Sequence, residues 1–500
     1  MRNPFTGRCR KKARSYSSFS WYNREKDYIY FLQEDFDFNS NNLAMKRNIL
    51  NSVLLIALII STSCNTKPVE VVQSGPSTSV IHPDWIKSSV MYEVNIRQYT
   101  PEGTFKSLAD RLPKLKELGV EILWLMPVNP IGIANRKGPL GSYYSVMDYK
   151  AVNPEFGTMD DFKALVKKTH DLGMFLIIDW VPNHSSWDNP LVISNPEWYA
   201  KDSTGKMFSP WDWTDVVKFD YNQRGLRDYQ IEAMKFWLTE TGLDGFRYDV
   251  AHQVPVDFWN EVRTALQQVK PGVLMLAEAE QRPLHENSMD MTYGWELHHI
   301  MNQIAQGKAD VSAIDAYFER AAKDYNTHDI RMYFTSNHDE NSWNGTEWER
   351  MGNATEALTV FTYSIPGIPL IYSGQEAGSS KRLKFFERDP IEWNSHPFFG
   401  LYQKLNQLKK DNEALWNPGF GGNYTRLATG QDKQVFAILR EKGTNKVLVL
   451  INLSNEEVSI KLDPDKVPGK YLNYFSGEKV KPAAAELVLN GWGYLVFTKD

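Results

Sequence analysis

Acidic, basic and imidazole side chains recur in this chain where short apolar runs end. Asp179 closes MFLIID (174–179) and leads into Asn183 and His184, while Arg247 and Asp249 close DGFRYD (244–249) with His252 three residues on. Glu278 closes VLMLAE (273–278), and Asn337, His338 and Asp339 stand where RMYFTSN (331–337) ends. A lone acid in such a place reads as readily as a loop cap. Four acids, one Arg and three His at four such ends read as one site. Two carboxylates facing one substrate suit glycoside cleavage, one as nucleophile or base and the other as acid under an oxocarbenium-like transition state. Arg247 and Asp249 are two apart and share a strand face, so Arg247 is expected to keep Asp249 ionised, as a nucleophile requires. Glu278 has no Arg beside it in sequence and is expected to keep its proton for the leaving oxygen. A metal hydrolase is the competing class, but HxH and HExxH spacings are missing and the local pattern is Asn-His-Asp.

Something must bring these residues together. Eight β-branched or apolar runs follow one another from Val90: 90–96, 121–126, 174–179, 244–249, 273–278, 291–297, 331–337 and 367–374. Amphipathic stretches lie between them, such as 105–119, where Leu108, Leu112, Leu115 and Leu118 recur at spacings of three and four, and 159–173. The alternation predicts an α/β fold, a (β/α)8 TIM barrel over residues 84–412 whose functional residues sit at the carboxyl ends of the strands. An open doubly wound sheet is the alternative, and no GxGxxG turn supports it. Residues 185–220 form a short inserted loop domain after the third strand. After a helix near 398–411, alternating short strands over 413–500 predict a small antiparallel β-sandwich, read as support for the barrel rather than as a glycan binder.

Composition narrows the classes further. A net charge of −5 with 23% charged residues argues against a nucleic-acid partner, and two cysteines, Cys9 and Cys64, are too few for a disulfide framework or a four-cysteine metal centre. Aromatic residues make up 13% of 500, including 16 Trp, which suits either a large core or sugar-stacking platforms. Five of them, Trp180, Trp187, Trp198, Trp211 and Trp213, fall in or beside the inserted loop and are expected to be platforms. Residues 1–44 read as an unstructured upstream extension. Met45-Lys46-Arg47, the apolar run Val53–Ile60 and the small residues Ser61, Thr62 and Ser63 before Cys64 have the layout of a secretory signal over 45–64. Small residues directly before a cysteine resemble a bacterial lipoprotein signal. The protein is thus expected to be exported to the bacterial cell envelope and held at a membrane only by an N-terminal lipid anchor, with 65–83 as a linker.

The motifs DWVPNH (179–184), GFRYDVAH (245–252), LAEAE around Glu278 and TSNHDE (335–340) resemble, in order, the four signatures of the α-amylase family of glycoside hydrolases (family 13 type). YSVMDYKAVNPEFGT (144–158) and GIPLIYSGQEAG (367–378) extend the match, and the compact inserted loop looks like that of bacterial maltodextrin-acting, neopullulanase-like members. The resemblance implies a retaining hydrolase of α-1,4-glucosidic bonds in starch-derived glucans or maltodextrins. It makes Asp249 the nucleophile, Glu278 the general acid/base and Asp339 the third acid that binds and distorts the sugar. It implies substrate binding by Tyr144, His184, Arg247, His252 and His338. No cofactor is required. The family's structural calcium is doubtful, because Asn183 is present while a His four residues past the nucleophile is replaced by Gln253. Transglycosylation in the same site and a non-catalytic glycan-binding protein are the alternatives, the second opposed by the presence of all three acids.

Overall fold

The computed structural model describes residues 80–499; residues 1–79, with the expected signal, Cys64 and most of the linker, lie outside the described residues, as does Asp500. Strands β1 (Met91–Val94), β2 (Ile122–Leu125) and β3 (Phe175–Trp180) begin a barrel, and an excursion through β4 (His184–Ser186) and β5 (Val216–Lys218) follows. Then come β6 (Gly245–Tyr248), β7 (Leu274–Ala277), β8 (Met291–Tyr293), β9 (Ile330–Tyr333) and β10 (Ile368–Tyr372). The eight strands other than β4 and β5 are parallel and close as β1-β2-β3-β6-β7-β8-β9-β10, with β10 back on β1. This is the expected (β/α)8 barrel.

Period-two alternation sorts the side chains. Met91, Ile122, Trp124, Ile177, Leu274, Leu276, Met291, Ile330, Met332, Ile368 and Leu370 pack with one another inside the barrel. Their neighbours Tyr92, Leu123, Leu125, Leu176, Ile178, Phe246 and Met275 face outward against the helices. Gly245 is small of necessity, because a Cβ there would lie 2.1 Å from the Leu274 carbonyl oxygen. The outer layer contains helices α1 (Phe105–Leu118), α2 (Met159–Asp171), α3 (Arg224–Thr241), α4 (Val256–Val269), α5 (Trp295–Ala305), α6 (Val311–Asp324), α7 (Thr355–Ser364) and α8 (Pro397–Asp411). α1 and α2 start at reciprocal capping boxes, Thr104 with Ser107 and Thr158 with Asp161. α1 then buries a stripe of Phe105 and four leucines, and α2 one of Phe162, Leu165, Val166 and Thr169. The run at 291–297 is a strand only as far as Tyr293; Leu297 belongs to the 297/300/301/304 stripe of α5, a helical spacing that begins where the strand stops.

His82 ends the linker region docked under the barrel, with Nδ1 3.0 Å from Asp290 Oδ1 and Nε2 2.9 Å from the His328 carbonyl. The carboxyl-terminal strands β11 (Asn423–Arg426), β12 (Val435–Lys442), β13 (Asn445–Asn452), β14 (Val458–Ile460), β15 (Tyr471–Asn473), β16 (Lys479–Val480), β17 (Leu487–Leu489) and β18 (Tyr494–Lys499) form the sandwich. A six-stranded antiparallel sheet, β11-β12-β13-β18-β15-β16, lies with the pair β14-β17. β12 is buried on both faces: Val435, Ala437 and Leu439 enter the sandwich core, while Phe436 and Ile438 join the barrel's outer core. Arg440, on the same strand, donates to the Ser364 carbonyl of α7 at 3.1 Å. Among the described residues no helix is long and apolar enough to cross a membrane.

Candidate active site

The inward parity of the barrel strands places Glu93, Asp179 and Arg247 above the apolar interior, toward the carboxyl ends where loops carry Asp249, Glu278 and Asp339. Arg247 is the hub. Its Nη1 lies 2.9 and 3.0 Å from the two Asp179 oxygens and 3.1 Å from Asp249 Oδ1, its Nη2 lies 3.0 Å from Glu278 Oε2, and its Nε donates to the Tyr293 hydroxyl at 3.0 Å. A guanidinium presents five donors in a fixed fork, so one side chain fixes three carboxylates at once.

This corrects the assignment made from sequence neighbours. Arg247 touches Glu278 as closely as it touches Asp249, because β6 and β7 are adjacent in the barrel and Arg247 pairs with Leu276, two residues before Glu278. Burial raises Asp249 well above the usual carboxylate range, and the Glu278 charge adds to it against the pull of Arg247. Burial also opposes ionisation of Glu278, but Arg247 and the Val250 N–H, which donates to Glu278 Oε2 at 2.8 Å, outweigh it and hold its carboxyl below the ordinary value. Arg247 therefore does not single out Asp249, as the sequence neighbours suggested, but holds both acids. Val250 adopts a left-handed backbone, φ +47, to aim that N–H, an unfavourable conformation for a β-branched residue.

The remaining expected residues converge on the same mouth. Tyr144 donates to Asp179 Oδ2 at 3.1 Å and lies 2.8 Å from His338 Nε2, with its ring stacked 5.6 Å from the imidazole. His338 Nε2 is 3.5 Å from Asp339 Oδ2, and Nδ1 is 2.5 Å from Glu93 Oε1. Burial opposes its charge, yet Asp339 and Glu93 push the ring up to about 9. His184 is pushed down to about 3 by burial, so it is neutral there. Asn183 donates to its Nδ1 at 3.2 Å, which leaves the ring proton on Nε2. His252 is exposed beside Glu278, whose ionised form it favours. Glu93 and Tyr293 were not expected. Both lie within apolar strands, and the only sequence signal was that they share the inward parity of Asp179 and Arg247.

Two further expectations meet different fates. Trp180 is core: it faces outward on β3, 1% exposed, with Nε1 donating to Gln230. Its odd spacing from Asp179 puts it on the opposite strand face. Trp187 and Trp198 are partly buried against the barrel's outer core, whereas Trp211 is 53% exposed and its ring lies 4.6 Å from that of Trp213, which sits 5.4 Å edge-on to His184. The Asn183 side-chain nitrogen faces His184.

Chemically, five carboxyl groups (Glu93, Asp179, Asp249, Glu278, Asp339) gather around Arg247 and His338. Carboxylates placed so suit a transition state that develops positive charge. The family model for the alpha amylase catalytic domain matches residues 73–214 and 190–397. A noncanonic maltogenic alpha-amylase, AmyB, from Thermotoga neapolitana superposes with TM-score 0.76 at 29% identity, covering 83% of this chain and 99% of that one. An alpha-amylase from Lactobacillus plantarum superposes with TM-score 0.75 at 30% identity over 83% of this chain and all of that one. Alpha-amylase MalA of Haloarcula japonica is 26% identical over 431 residues; the match takes 81% of this chain but spans only 62% of that relative's length.

Proposed function

This chain belongs to the alpha-amylase family of glycoside hydrolases, and on that premise we propose that it cleaves α-1,4-glucosidic bonds in starch-derived glucans or maltodextrins with retention of configuration. The observation that carries the reading is the pairing of Asp249 and Glu278 on the two terminal nitrogens of one guanidinium, at the barrel mouth beside Tyr144, His184 and His338. Two carboxyl groups gripped by one fork are held close to each other, as the retaining mechanism requires, where a separation of about 5–5.5 Å leaves no room for a water between the second carboxylate and the sugar.

In this reading a glucosyl ring stacks on Tyr144, and Asp339 and the two histidines bind its hydroxyls. With the sugar bound, Glu278 carries the proton that the leaving oxygen needs and Arg247 keeps Asp249 ionised. Asp249 attacks the anomeric carbon as Glu278 gives its proton to the glycosidic oxygen; the C–O bond breaks and the shortened chain departs. Water, losing a proton to Glu278, then displaces Asp249 and releases a sugar of the original configuration. Chromatography of maltoheptaose digests tests the reading. Shorter oligomers alone support hydrolysis, longer ones identify transfer to a sugar acceptor, and an unchanged substrate overturns both.

We also propose export with a lipid at Cys64 and no calcium requirement. The basic start, apolar run and small residues before Cys64 support the first, and Gln253 standing where the family's calcium sites have a His supports the second. Fatty-acid labelling that disappears in Cys64→Ser supports the anchor, and labelling that persists contradicts it; unchanged turnover in excess chelator supports calcium independence.

A further inference from the structure

The mouth of the barrel contains an acid, Glu93, that none of the proposed steps uses. It is buried on β1, one oxygen lies 2.5 Å from His338 Nδ1, and the other has no hydrogen-bond partner. An acid buried in an apolar strand is costly unless something nearby needs its charge.

The hydrogen-bond chain shows what needs it. Asp179 receives Arg247 on both oxygens and acts as an acceptor. The Tyr144 hydroxyl has one proton and two close partners, Asp179 Oδ2 at 3.1 Å and His338 Nε2 at 2.8 Å. The Asp339 carboxylate 3.5 Å from Nε2 is an acceptor and favours a proton on Nε2, in which case Tyr144 accepts from Nε2 and gives its own proton to Asp179. A second proton then lies between Nδ1 and Glu93 Oε1. Imidazole is the stronger base, and the Asp339 carboxylate 3.5 Å from Nε2 favours charge on the ring. The groups facing the ring are Glu93 from β1, the edge-on Trp124 ring from β2, Tyr144 from the following loop, Asp179 from β3, Arg247 from β6 and the adjoining Asp339; only Arg247 opposes the charge.

We propose that Glu93 is a positioning residue that holds His338 as an imidazolium, directing every proton in the chain from His338 through Tyr144 to Asp179 and presenting the Nε2–H as a charged donor to a sugar hydroxyl. Hydrogen bonds to ionised donors are roughly twice as strong as neutral ones, so the device tightens the hold on the ring being cleaved. The idea rests on the glucan reading for its role, but not for its protonation state, and the two can fail separately.

Nitrogen NMR of the histidine-labelled protein, with His338 assigned by its loss in His338→Asn, reads the ring directly among ten histidines. At about pH 8 an ordinary histidine, with a pKa of about 6.5, is neutral, whereas His338 is expected to show both nitrogens protonated. Glu93→Gln keeps the shape and removes the charge. It is expected to make His338 neutral at that pH and to lower kcat/KM for maltoheptaose by about tenfold or more, with the loss shrinking as the assay is acidified, since each unit of ring pKa is worth about tenfold in imidazolium. A neutral His338 in the unaltered protein overturns the proposal. So does a Glu93→Gln profile that is unchanged or reduced equally at every pH, which is what packing alone would produce. Should Glu93→Gln fail to fold, the spectrum of the unaltered protein still decides. Absence of turnover in the unaltered protein would sink the glucan reading while leaving the spectrum to judge Glu93.

Discussion

Arg247 makes the site one object rather than a set of neighbours. Replacing it with Lys keeps a charge but loses the fork, so Asp249 and Glu278 can no longer be held together; turnover is expected to fall by more than that of either carboxylate's peripheral partners, with unfolding temperature little changed if Asp179 keeps the ammonium. Glu278→Gln removes the proton donor and is expected to cost about 10²- to 10⁴-fold in kcat on maltoheptaose, and Asp249→Asn at least as much, with folding intact by circular dichroism. A fully active Asp249→Asn protein is incompatible with the mechanism. The three acids, Arg247, Tyr144 and the histidines were all legible in the sequence as residues of one site, because they stand at strand ends or in motifs. The sharing of Arg247 between Asp249 and Glu278 was not legible. It depends on which strands are adjacent, and β6 and β7 put Arg247 beside both. Glu93 was hidden for a related reason, since an acid inside an apolar run acquires meaning only when a partner from β9's loop, 245 residues away, arrives beside it.

The elements explain what each side chain can reach. All eight barrel strands and the helices at 105–119, 159–173 and near 398–411 were legible in the pattern of apolar runs, and one misreading arose where period was ignored: Trp180 is one residue from Asp179 and so faces the opposite side. The excursion between β3 and β6 positions Trp211, which takes a left-handed backbone, φ +50, while Lys137 Nζ holds the adjacent Asp212 carbonyl at 2.9 Å and Trp187 Nε1 holds that of Thr214 at 3.1 Å. An exposed indole kept in an unfavourable conformation by its loop points to a surface for ligand. Trp211→Ala is expected to lower kcat/KM for maltoheptaose several-fold and leave maltotriose unaffected; equal effects on both would remove the platform role. The loop after β9 carries another testable group. Glu347 is buried with one oxygen accepting from Thr335 at 2.9 Å and from Gln375, the other unpartnered, and burial raises it to about 7. Glu347→Gln is therefore expected to raise the unfolding temperature at pH 8 and to do little at pH 5, where the acid is already protonated in the fold.

For the whole molecule, the signs of these shifts combine into a pH profile. Glu347 and Glu376 are raised to about 7 by burial, so the folded state binds more protons than the unfolded one between about 4.5 and 7, and stability falls as pH rises through that window. His338, raised to about 9, adds stability that is complete below about 6.5 and disappears as pH climbs through 9. Glu340 runs the other way: lowered to about 2 despite burial, by His298 and Arg350, it contributes above about 4.5 and is lost as pH falls toward 2. His184, held down to about 3 by burial, opposes this fall up to about pH 6.5 and not beyond, so the unfolding temperature should be lower at pH 8 than at pH 6; a protein more stable at pH 8 than at pH 6 would contradict this balance. The sandwich was legible as alternating strands, but its docking was not, because two-sided burial of β12 against α7 is a property of the assembled chain. The central claim concerns the site all of this supports, double displacement through Asp249 and Glu278. Proton NMR of the first products from maltoheptaose, recorded before the anomers equilibrate, tests it most directly: the account predicts new reducing ends in the α configuration, and β-configured reducing ends would contradict it.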